Sequence, residues 1–315
     1  MNGKQKVSIC FLLLHFNDET LTYRAVDSLL QLNKIEYCKI VIIDNGSRNN
    51  SGSKIEKKYR GYDNIDVVLL DKNNGFSKGN NIGYQYITKK YNFDFVIAIN
   101  NDILFNQKDF IIKLYNEYKK TGFNVAGPDI FVPQRYWHSS PLREKVMTED
   151  ELNIYLQNWY SWIKKYKCFF SFQVLKVFLL ERFRFNSFLI KLYYVHRKLK
   201  GNPTEYETIK TNCVLQGSCL IFDQKFCLNN ANLFEPETFL YEEENILTLK
   251  CLSDGWKIFY LPNLQVYHTC QGSTQIKKQS YRDFCKRKIN EHKYLIEATK
   301  IYIKYMKDLN LLEQD

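Results

Sequence analysis

Four short apolar runs in the first third of the chain have the composition of strands buried on both faces of a sheet. They cover residues 7–14, 39–44, 67–71 and 95–99, and they are rich in Val, Ile and Leu. Such runs are typical of the interior strands of parallel sheets. Polar segments with helical periodicity separate them. This alternation predicts an α/β fold with a largely parallel sheet and right-handed crossovers.

Three of these strands end in a carboxylate. Asp44 and Asp71 close two of the runs, and Asn100, Asn101 and Asp102 follow the last one. In open α/β sheets the ligand site lies at the carboxyl ends of the strands. A carboxylate with amide neighbours suits Mg²⁺, which proteins hold through one or two carboxylates plus substrate phosphates. An isolated Asn-Asn-Asp is equally typical of a solvated turn before a helix.

Glycine recurs every four residues, at Gly75, Gly79 and Gly83, where a short helix is predicted to begin. The spacing fits neither the dinucleotide fingerprint nor the P-loop, which argues against a nicotinamide cofactor and against an ATPase. Two explanations remain open. The glycines could allow a ligand to approach the backbone, or they could allow the helix to pack closely on the sheet.

The second half of the chain continues the pattern with less regularity. We predict a helix over 108–121 that stops at Gly122, strands over 124–132, 213–222, 256–261 and 264–267, and a helix that begins within 235–247. Glu242, Glu243 and Glu244 lie in the first turn of that last helix, where the helix dipole favours negative charge. Capping of a solvated face would explain them as well as a catalytic role would.

The N-terminal strand and helix, followed by Ile43-Asp-Asn-Gly-Ser47, Asn74-Gly-Phe-Ser-Lys-Gly-Asn-Asn-Ile-Gly83 and Ile99-Asn-Asn-Asp102, closely resemble bacterial family 2 glycosyltransferases of the GT-A fold. The order and spacing of these motifs are more specific than any one of them. The resemblance implies a nucleotide-sugar donor site, at which Asp44 hydrogen-bonds a pyrimidine base and the Asn-Gly-Phe-Ser loop lies along the nucleoside and the sugar. The donor-binding residues that it implies are Asp44, Asn45, Asn74, Gly75, Phe76, Ser77, Gly79, Asn80, Asn100 and Asn101.

The resemblance also implies a divalent metal, Mn²⁺ or Mg²⁺, held against the donor diphosphate. Asp102 corresponds to the last carboxylate of the family's DxD motif, although Asn100 stands where a strict motif has Asp. The step Val266-Tyr-His268 matches a position that often gives a second metal or diphosphate contact, and neutral imidazole is a competent ligand. Asp102 and His268 are therefore the predicted metal ligands.

The same resemblance implies roles for the acidic cluster. Glu243 and Glu244 align with the family's Glu-Asp pair, and the strand around Gln216-Gly-Ser218 corresponds to one that lies under the acceptor pocket. Glu244 is the expected general base. Glu243 is expected to orient the acceptor or the neighbouring loop, and Glu242 to be solvated.

A segment between the two halves, about residues 141–203, has no counterpart in a minimal catalytic domain. Residues 151–200 combine ten basic side chains with fourteen aromatic ones and only two Glu. This composition is typical of an interfacial helix on an anionic bilayer, although ordinary helices packed on the domain would also explain it. The basic residues are Lys164, Lys165, Lys167, Lys176, Arg182, Arg184, Lys191, Arg197, Lys198 and Lys200.

Charge and cysteine content narrow the possible partners and the cellular compartment of the protein. The net charge of +11 favours an anionic partner, but the chain shows no recognisable nucleic-acid module, so nucleic acid is not expected. Nine cysteines without paired spacing indicate reduced thiols. Neither a signal-peptide pattern nor an apolar run of about 20 residues is found. We expect a cytoplasmic protein attached peripherally to the inner face of the plasma membrane.

These features predict a GT-A-like, Rossmann-related α/β fold with a helical insertion and a helical tail. We divide it into a nucleotide-sugar-binding half (1–135), the basic aromatic insertion (136–206), an acceptor-binding half (207–275) and a C-terminal tail (276–315) that covers the fold or forms a homodimer. The expected activity is a metal-dependent, inverting hexosyl or rhamnosyl transfer from a UDP- or dTDP-sugar. The acceptor would be a glycan or a polyprenyl-linked precursor of a capsular or O-antigen polysaccharide.

Two alternatives differ in class from this activity. The chain could be a non-catalytic subunit that binds nucleotide sugars and scaffolds an assembly complex. A nucleotidyltransferase shares the sheet and the metal site, but it would need a Gly-rich basic loop after the first strand, and His15-Phe-Asn-Asp18 lacks one.

Overall fold

The computed structural model describes residues 5–6, 8–168, 171–183, 206–269 and 280–309. Its strands are β1 (Gln5–Lys6), β2 (Ile9–His15), β3 (Cys38–Asp44), β4 (Ile65–Leu69), β5 (Tyr91–Asn92), β6 (Phe95–Asn100), β7 (Ile103–Leu104), β8 (Val125–Val132), β9 (Trp137–His138), β10 (Lys210–Thr211), β11 (Cys219–Asp223) and β12 (Ile258–His268). Its α-helices, numbered along the described chain, are α1 (Glu19–Leu29), α2 (Ser51–Tyr59), α3 (Phe76–Lys90), α4 (Phe110–Thr121), α5 (Glu149–Lys167), α6 (Phe172–Phe183), α7 (Gln224–Asn229), α8 (Glu243–Ser253) and α9 (Tyr281–Asp308).

The main sheet has the order β10-β12-β8-β11-β6-β2-β3-β4. Strands β4, β3, β2 and β6 run parallel, as the apolar runs predict, and β8 is parallel to β12. Strand β11 is antiparallel to both of its neighbours, β6 and β8. The carboxyl ends of β2, β3 and β6 therefore meet at one edge, which also receives the beginning of β11. The prediction of a mostly parallel α/β sheet flanked by helices is confirmed.

Both faces of the sheet are covered. On β2, Ile9, Phe11 and Leu13 enter the core beneath α1, α2 and α4, whereas Cys10 and Leu12 enter the core beneath α3 and α8. Alternate side chains of a strand point to opposite faces, so a strand covered on both sides needs an unbroken apolar run. That requirement explains the composition of the four predicted strands.

Two element boundaries in the second half differ from the sequence prediction. The strand expected over 213–222 begins only at Cys219, and the two strands expected over 256–267 form the single strand β12. Its pairing with β8 is irregular between Leu261 and Gln265, where Pro262 lacks the N–H that a ladder needs. Helix α8 begins at Glu243 because Tyr241 and Glu242 have left-handed backbone angles.

The insertion and the tail form one helical layer. Helices α5 and α9 lie antiparallel, since Lys307 pairs with Glu149 at one end and the rings of Tyr166 and Phe284 meet at the other. Tyr302 of α9 packs against α8 in a third apolar cluster. The described part of the tail thus covers the fold, and the described parts of both the insertion and the tail contain helices, as predicted. No helix in the described ranges has the length and apolarity that a membrane span requires.

Candidate active site at the carboxyl edge of the sheet

Strand β3 delivers Asp44 and Asn45 to the edge. The Asp44 carboxylate is nearly buried and accepts hydrogen bonds from the backbone N–H and the hydroxyl of Ser47. The Asn45 amide joins this turn to the loop before α3, because its Nδ2 donates to the carbonyl of Gly75 (2.9 Å) and its Oδ1 accepts from the N–H of Asn74 (3.0 Å). The turn after β3 and the Asn-Gly-Phe-Ser loop are therefore one rigid unit.

His15 lies beneath this unit, a position that the sequence did not mark as functional. Its Nδ1 lies 2.7 Å from the hydroxyl of Thr22, its Nε2 lies 2.8 Å from that of Ser51, and Nε2 is 3.9 Å from Asp44 Oδ1. Burial lowers the pKa of His15, so the imidazole is neutral at physiological pH. The sequence signal that could have marked His15 as part of the site is its position at the end of a buried strand.

Gly75 brings the donor loop against the segment before α8. Its φ of 78° suits glycine, and a Cβ there would lie 2.4 Å from the carbonyl oxygen of Phe239. The N–H of Phe76 donates to that same carbonyl (2.7 Å). Side chains continue the link, because Ser77 Oγ lies 3.2 Å from Thr238 Oγ1, which donates to Glu243 Oε2 (3.3 Å). The first half of the chain thereby contacts the acidic cluster of the second.

The other glycines serve packing. A Cβ at Gly83 would lie 2.4 Å from Leu12 Cδ1, and one at Gly79 would lie 2.9 Å from Leu14 Cδ1. Close contact between α3 and the sheet therefore explains both positions. The side chains of Ser77 and Asn80 are also buried. Donor binding by Ser77, Gly79 and Asn80 stays a prediction.

The three residues of the Asn-Asn-Asp segment contact three different parts of the structure. The N–H of Asn100 donates to the carbonyl of Ser218 (2.9 Å). Asn101 points its amide back to α1, where Nδ2 donates to the hydroxyl of Thr22 (3.2 Å). Asp102 Oδ2 lies 2.9 Å from His268 Nε2. The antiparallel pairing of β7 with β12 sets Ile103 opposite His268 and so creates the Asp102–His268 contact.

Asp102 and His268 have the donor atoms that Mn²⁺ or Mg²⁺ would accept. Their side chains are 15% and 17% exposed, so both are reachable from solvent. A carboxylate oxygen and an imidazole nitrogen would leave the other positions of the ion to diphosphate oxygens and water. Over the residues that the structure describes, no group of three or more His, Cys, Asp or Glu side chains is arranged to hold a metal. The pair fits a metal that is bound together with its substrate.

Glu244 is connected to the end of β6 through a single dipeptide. Its Oε1 accepts the N–H of Gly217 (3.0 Å), and the adjoining Ser218 carbonyl accepts the N–H of Asn100. A Cβ at position 217 would lie 2.6 Å from Glu244 Oε1, so this approach requires glycine. Gln216-Gly-Ser218 therefore contacts the acidic cluster through Gly217, and its place under an acceptor pocket stays a prediction.

All three glutamates of the cluster are desolvated to some degree. Burial raises the pKa of Glu242, Glu243 and Glu244, and the Glu244 charge raises that of Glu243 further. The expectation that Glu242 is solvated is wrong, because its carboxylate accepts from Asn245 Nδ2 (2.8 Å) and lies beneath α9. Nor does the cluster cap α8 on a solvated face, since Glu242 at the N-cap makes no capping bond and Glu243 is only 9% exposed.

Comparisons with known proteins identify the fold and the family of the chain. The chain shares 29% identity over 92 residues with the low-salt glycan biosynthesis hexosyltransferase Agl10 of Haloferax volcanii, a match that covers 29% of this chain and 28% of that relative. The fold of the present chain is similar to that of S. aureus TarS residues 1–349 in complex with UDP-GlcNAc. The TM-score is 0.52 at 16% identity, and the match covers 91% of this chain and 66% of the TarS chain.

A third similar protein is the mannosyltransferase PcManGT from Pyrobaculum calidifontis in complex with GDP-Man and Mn²⁺. Its TM-score is 0.51 at 9% identity, with coverage of 98% of this chain and 76% of that one. At such identities the likeness establishes the fold, which is that of the GT-A glycosyltransferases. The model of glycosyl transferase family 2 matches residues 10–188. The chain therefore belongs to glycosyl transferase family 2.

Proposed function

We propose that this protein transfers a hexosyl or rhamnosyl unit, with inversion, from a UDP- or dTDP-sugar to a hydroxyl of a glycan or polyprenyl-linked acceptor. The observation that carries the proposal is that Gly217-Ser218 binds both Glu244 and the end of β6, two residues before Asp102. A predicted base and a predicted metal ligand thus share one edge of the sheet. The nucleotide sugars bound to TarS and PcManGT support the donor class.

The donor half presents a fixed recognition surface. Asp44 is held by Ser47, and it has the neutral imidazole of His15 beneath it. A carboxylate fixed in this way accepts hydrogen bonds from the N–H of a base without reorganising, which favours binding. The choice of a pyrimidine nucleotide follows from the family role of Asp44, since one similar structure holds a uridine and another a guanosine nucleotide.

Asp102 and His268 would hold the divalent ion. When bound, the ion neutralises charge that develops on the departing nucleoside diphosphate. The Mn²⁺ bound to PcManGT supports this assignment. The contribution of the protein is positional, because the β7–β12 pairing fixes both side chains before any ligand arrives.

Glu244 is the proposed general base. As the acceptor hydroxyl oxygen forms a bond to the anomeric carbon, the bond from that carbon to the diphosphate oxygen breaks, and the hydroxyl proton passes to the Glu244 carboxylate. Its desolvated position raises its pKa and so makes the ionised form a stronger base. Burial and the neighbouring Glu244 charge raise the pKa of Glu243 well above its ordinary value, which favours the protonated form of Glu243 and the ionised form of its neighbour.

A thermal-shift and product assay tests the proposal. The purified protein is titrated with UDP-, dTDP- and GDP-sugars with and without Mn²⁺, since a ligand that binds only the folded state raises Tm. Release of nucleoside diphosphate is then measured. We expect a metal-dependent shift and turnover with one donor. A shift without turnover on any acceptor would favour the scaffold alternative. Release of pyrophosphate from a nucleoside triphosphate and a sugar 1-phosphate, assayed in parallel, would indicate a nucleotidyltransferase.

We further propose that the insertion attaches the protein to an anionic membrane face, consistent with an acceptor of the capsular or O-antigen type. Helix α6 exposes Phe172 (80%) and Leu180 (61%), and Lys176 lies exposed between them. The helix is anchored on α9 through Glu181, which pairs with Arg287 and Lys288. Apolar side chains beside lysines are the composition of an interfacial helix. The remaining basic residues of the insertion, from Arg184 onwards, lie outside the described residues, and formation of a homodimer remains a prediction.

A further inference from the structure

An aromatic cluster lies on the hairpin that β8 and β9 form. Phe131 of β8 is paired with Tyr267 of β12 on one side and with His138 of β9 on the other. Side chains of directly opposed residues project from the same face of a sheet. The ring centroids of Phe131 lie 5.9 Å from those of Tyr267 and 5.0 Å from those of His138. Three rings therefore form a continuous half-buried row.

Further rings extend this row towards solvent. Tyr206 stacks on His138 with a centroid distance of 5.0 Å and an interplanar angle of 19°, and Trp137 meets Tyr206 edge-on at 6.3 Å. Tyr136 packs edge-on against Phe131 at 5.4 Å and is itself exposed. The hydroxyl of Tyr260 donates to the Tyr206 carbonyl (2.8 Å), which fixes that residue on the sheet. The outcome is a rigid surface of half-exposed aromatic faces.

A buried carboxylate holds the centre of the cluster. Asp129 is 3% exposed, and its Oδ1 lies 2.7 Å from Nδ1 of His138. Because an ionised carboxylate only accepts hydrogen bonds, this contact places the ring proton on Nδ1 and fixes the orientation of the imidazole. The stack of His138 on Tyr206 is therefore set before any ligand binds.

The cluster adjoins the proposed active site. Tyr267 immediately precedes His268 in β12. The hairpin loop is also attached to the metal pair, because Gln134 Nε2 donates to the Thr269 carbonyl (2.8 Å) and the N–H of Thr269 donates to the Asp102 carbonyl (2.9 Å). The hairpin that carries the rings is thus fixed to the strand end that carries the predicted metal ligands.

The cluster also shares the face of the sheet that carries the proposed base. Gly127 lies four residues before Phe131 on β8, so both positions point to the same side. A Cβ at Gly127 would contact Leu215, which lies two residues before the Gly217 that binds Glu244. The rings and the proposed base therefore lie on one face of the sheet, and the metal pair lies at its carboxyl edge.

We infer that this aromatic cluster is an acceptor subsite that stacks a sugar ring of a glycan. The inference rests on the proposed function. A pyranose presents an apolar C–H face and a rim of hydroxyl groups. Flat aromatic faces with polar tips match this pattern, because rings supply apolar area at fixed positions while Tyr, His and Trp also offer hydrogen-bonding atoms. A polyprenyl chain would instead favour a continuous aliphatic groove.

The test uses the full-length protein on a printed array of defined glycans, with donor binding followed in parallel by thermal shift with nucleotide sugars. We compare the wild type with Trp137→Ala, Tyr206→Ala and Tyr206→Phe. The control is Tyr37→Ala, which removes a 57% exposed ring beside the amino end of β3, at the opposite edge of the sheet. The two cluster Ala variants are expected to bind the retained glycans about tenfold more weakly, a loss typical of one good contact. Tyr206→Phe and Tyr37→Ala should bind them as the wild type does.

Three outcomes distinguish failure of the aromatic subsite from failure of the proposed function. Unchanged glycan binding by both Ala variants would overturn the subsite. So would a wild type that transfers sugar to polyprenyl phosphate in vesicles, with release of nucleoside diphosphate, but binds no glycan. If the wild type binds glycans through Trp137 yet shows no shift with any nucleotide sugar, the proposed function fails and the subsite remains. An unchanged donor-induced shift in the Ala variants confirms that they are folded, and then their glycan binding alone decides.

Discussion

Replacing Glu244 with Gln separates a general base from a structural carboxylate. The amide keeps the oxygen that accepts the Gly217 N–H, so the contact that holds the side chain survives the change. It cannot accept a proton at working pH. Loss of a general base typically reduces rate by ~10²–10⁴-fold, equivalent to about 3–5 kcal/mol in the activation barrier. We expect a loss in kcat of that size, with near-normal donor affinity, because the donor residues lie on the other half of the site.

The same variant should be at least as stable as the wild type at neutral pH. Burial raises the folded-state pKa of Glu244 above its ordinary value of 4.5. A carboxyl whose pKa is raised on folding contributes its stability below the unfolded pKa and loses it as pH rises through the folded pKa. The neutral amide avoids that loss. The difference in Tm between Glu244→Gln and wild type should therefore be largest near pH 7 and should vanish near pH 4.

The assay is single-turnover release of nucleoside diphosphate between pH 5 and 9, with thermal melts at each pH. In the wild type the rate should fall on the acid side at a pH above 4.5, because the raised pKa of Glu244 moves protonation upwards. Glu243→Gln is the matched control and should keep most of the activity, since the raised pKa of Glu243 favours its protonated form, which an amide resembles. If Glu243→Gln is inactive and Glu244→Gln is active, Glu243 and not Glu244 is the general base. Full activity in both variants would refute catalysis by the cluster.

Three further expectations follow from the same contacts. Asp102→Asn should abolish transfer and remove the effect of Mn²⁺ on donor-induced Tm, while Asp71→Asn, an exposed strand-end control, should change neither; a wild-type Mn²⁺ response in Asp102→Asn would refute the metal assignment. Gly83→Ala should lower the free energy of unfolding by about 1–3 kcal/mol, because its Cβ would lie 2.4 Å from a methyl carbon of β2; an unchanged urea midpoint would show that α3 can shift without cost. The protein should float with anionic liposomes at low salt but not with neutral ones, and replacing Phe172 and Leu180 by Ser should weaken this binding; equal flotation with both lipids, or none, would favour packing as the only role of the insertion.

The sequence by itself determined the sheet and the edge at which the site lies. A strand covered on both faces needs an unbroken apolar run, and the parallel strands that such runs form place their carboxyl ends together. The positions of Asp44 and Asp102 at the ends of β3 and β6 follow directly from this rule. Gly122 ends α4 with a left-handed backbone for an equally local reason.

Only the tertiary structure decided which side chains meet. Asp102 and His268 are 166 positions apart, and their contact depends on the pairing of β7 with β12, for which no local pattern exists. The same holds for the contact from Ser77 through Thr238 to Glu243. Local periodicity reports which face of an element is buried, but not the element that will cover it.

The alternatives that the sequence left open depended on packing in the same way. Glycine at positions 79 and 83 is compatible with a ligand or with a neighbouring strand, and only the distance to Leu12 and Leu14 chooses the strand. For the acidic cluster, the sequence left open a helix cap on a solvated face. The position of α9 over Glu242 decides against that alternative. The aromatic cluster escaped prediction because Phe131, His138 and Tyr267 come from three strands. Their sequence spacing carries no period, and sheet register alone brings them together.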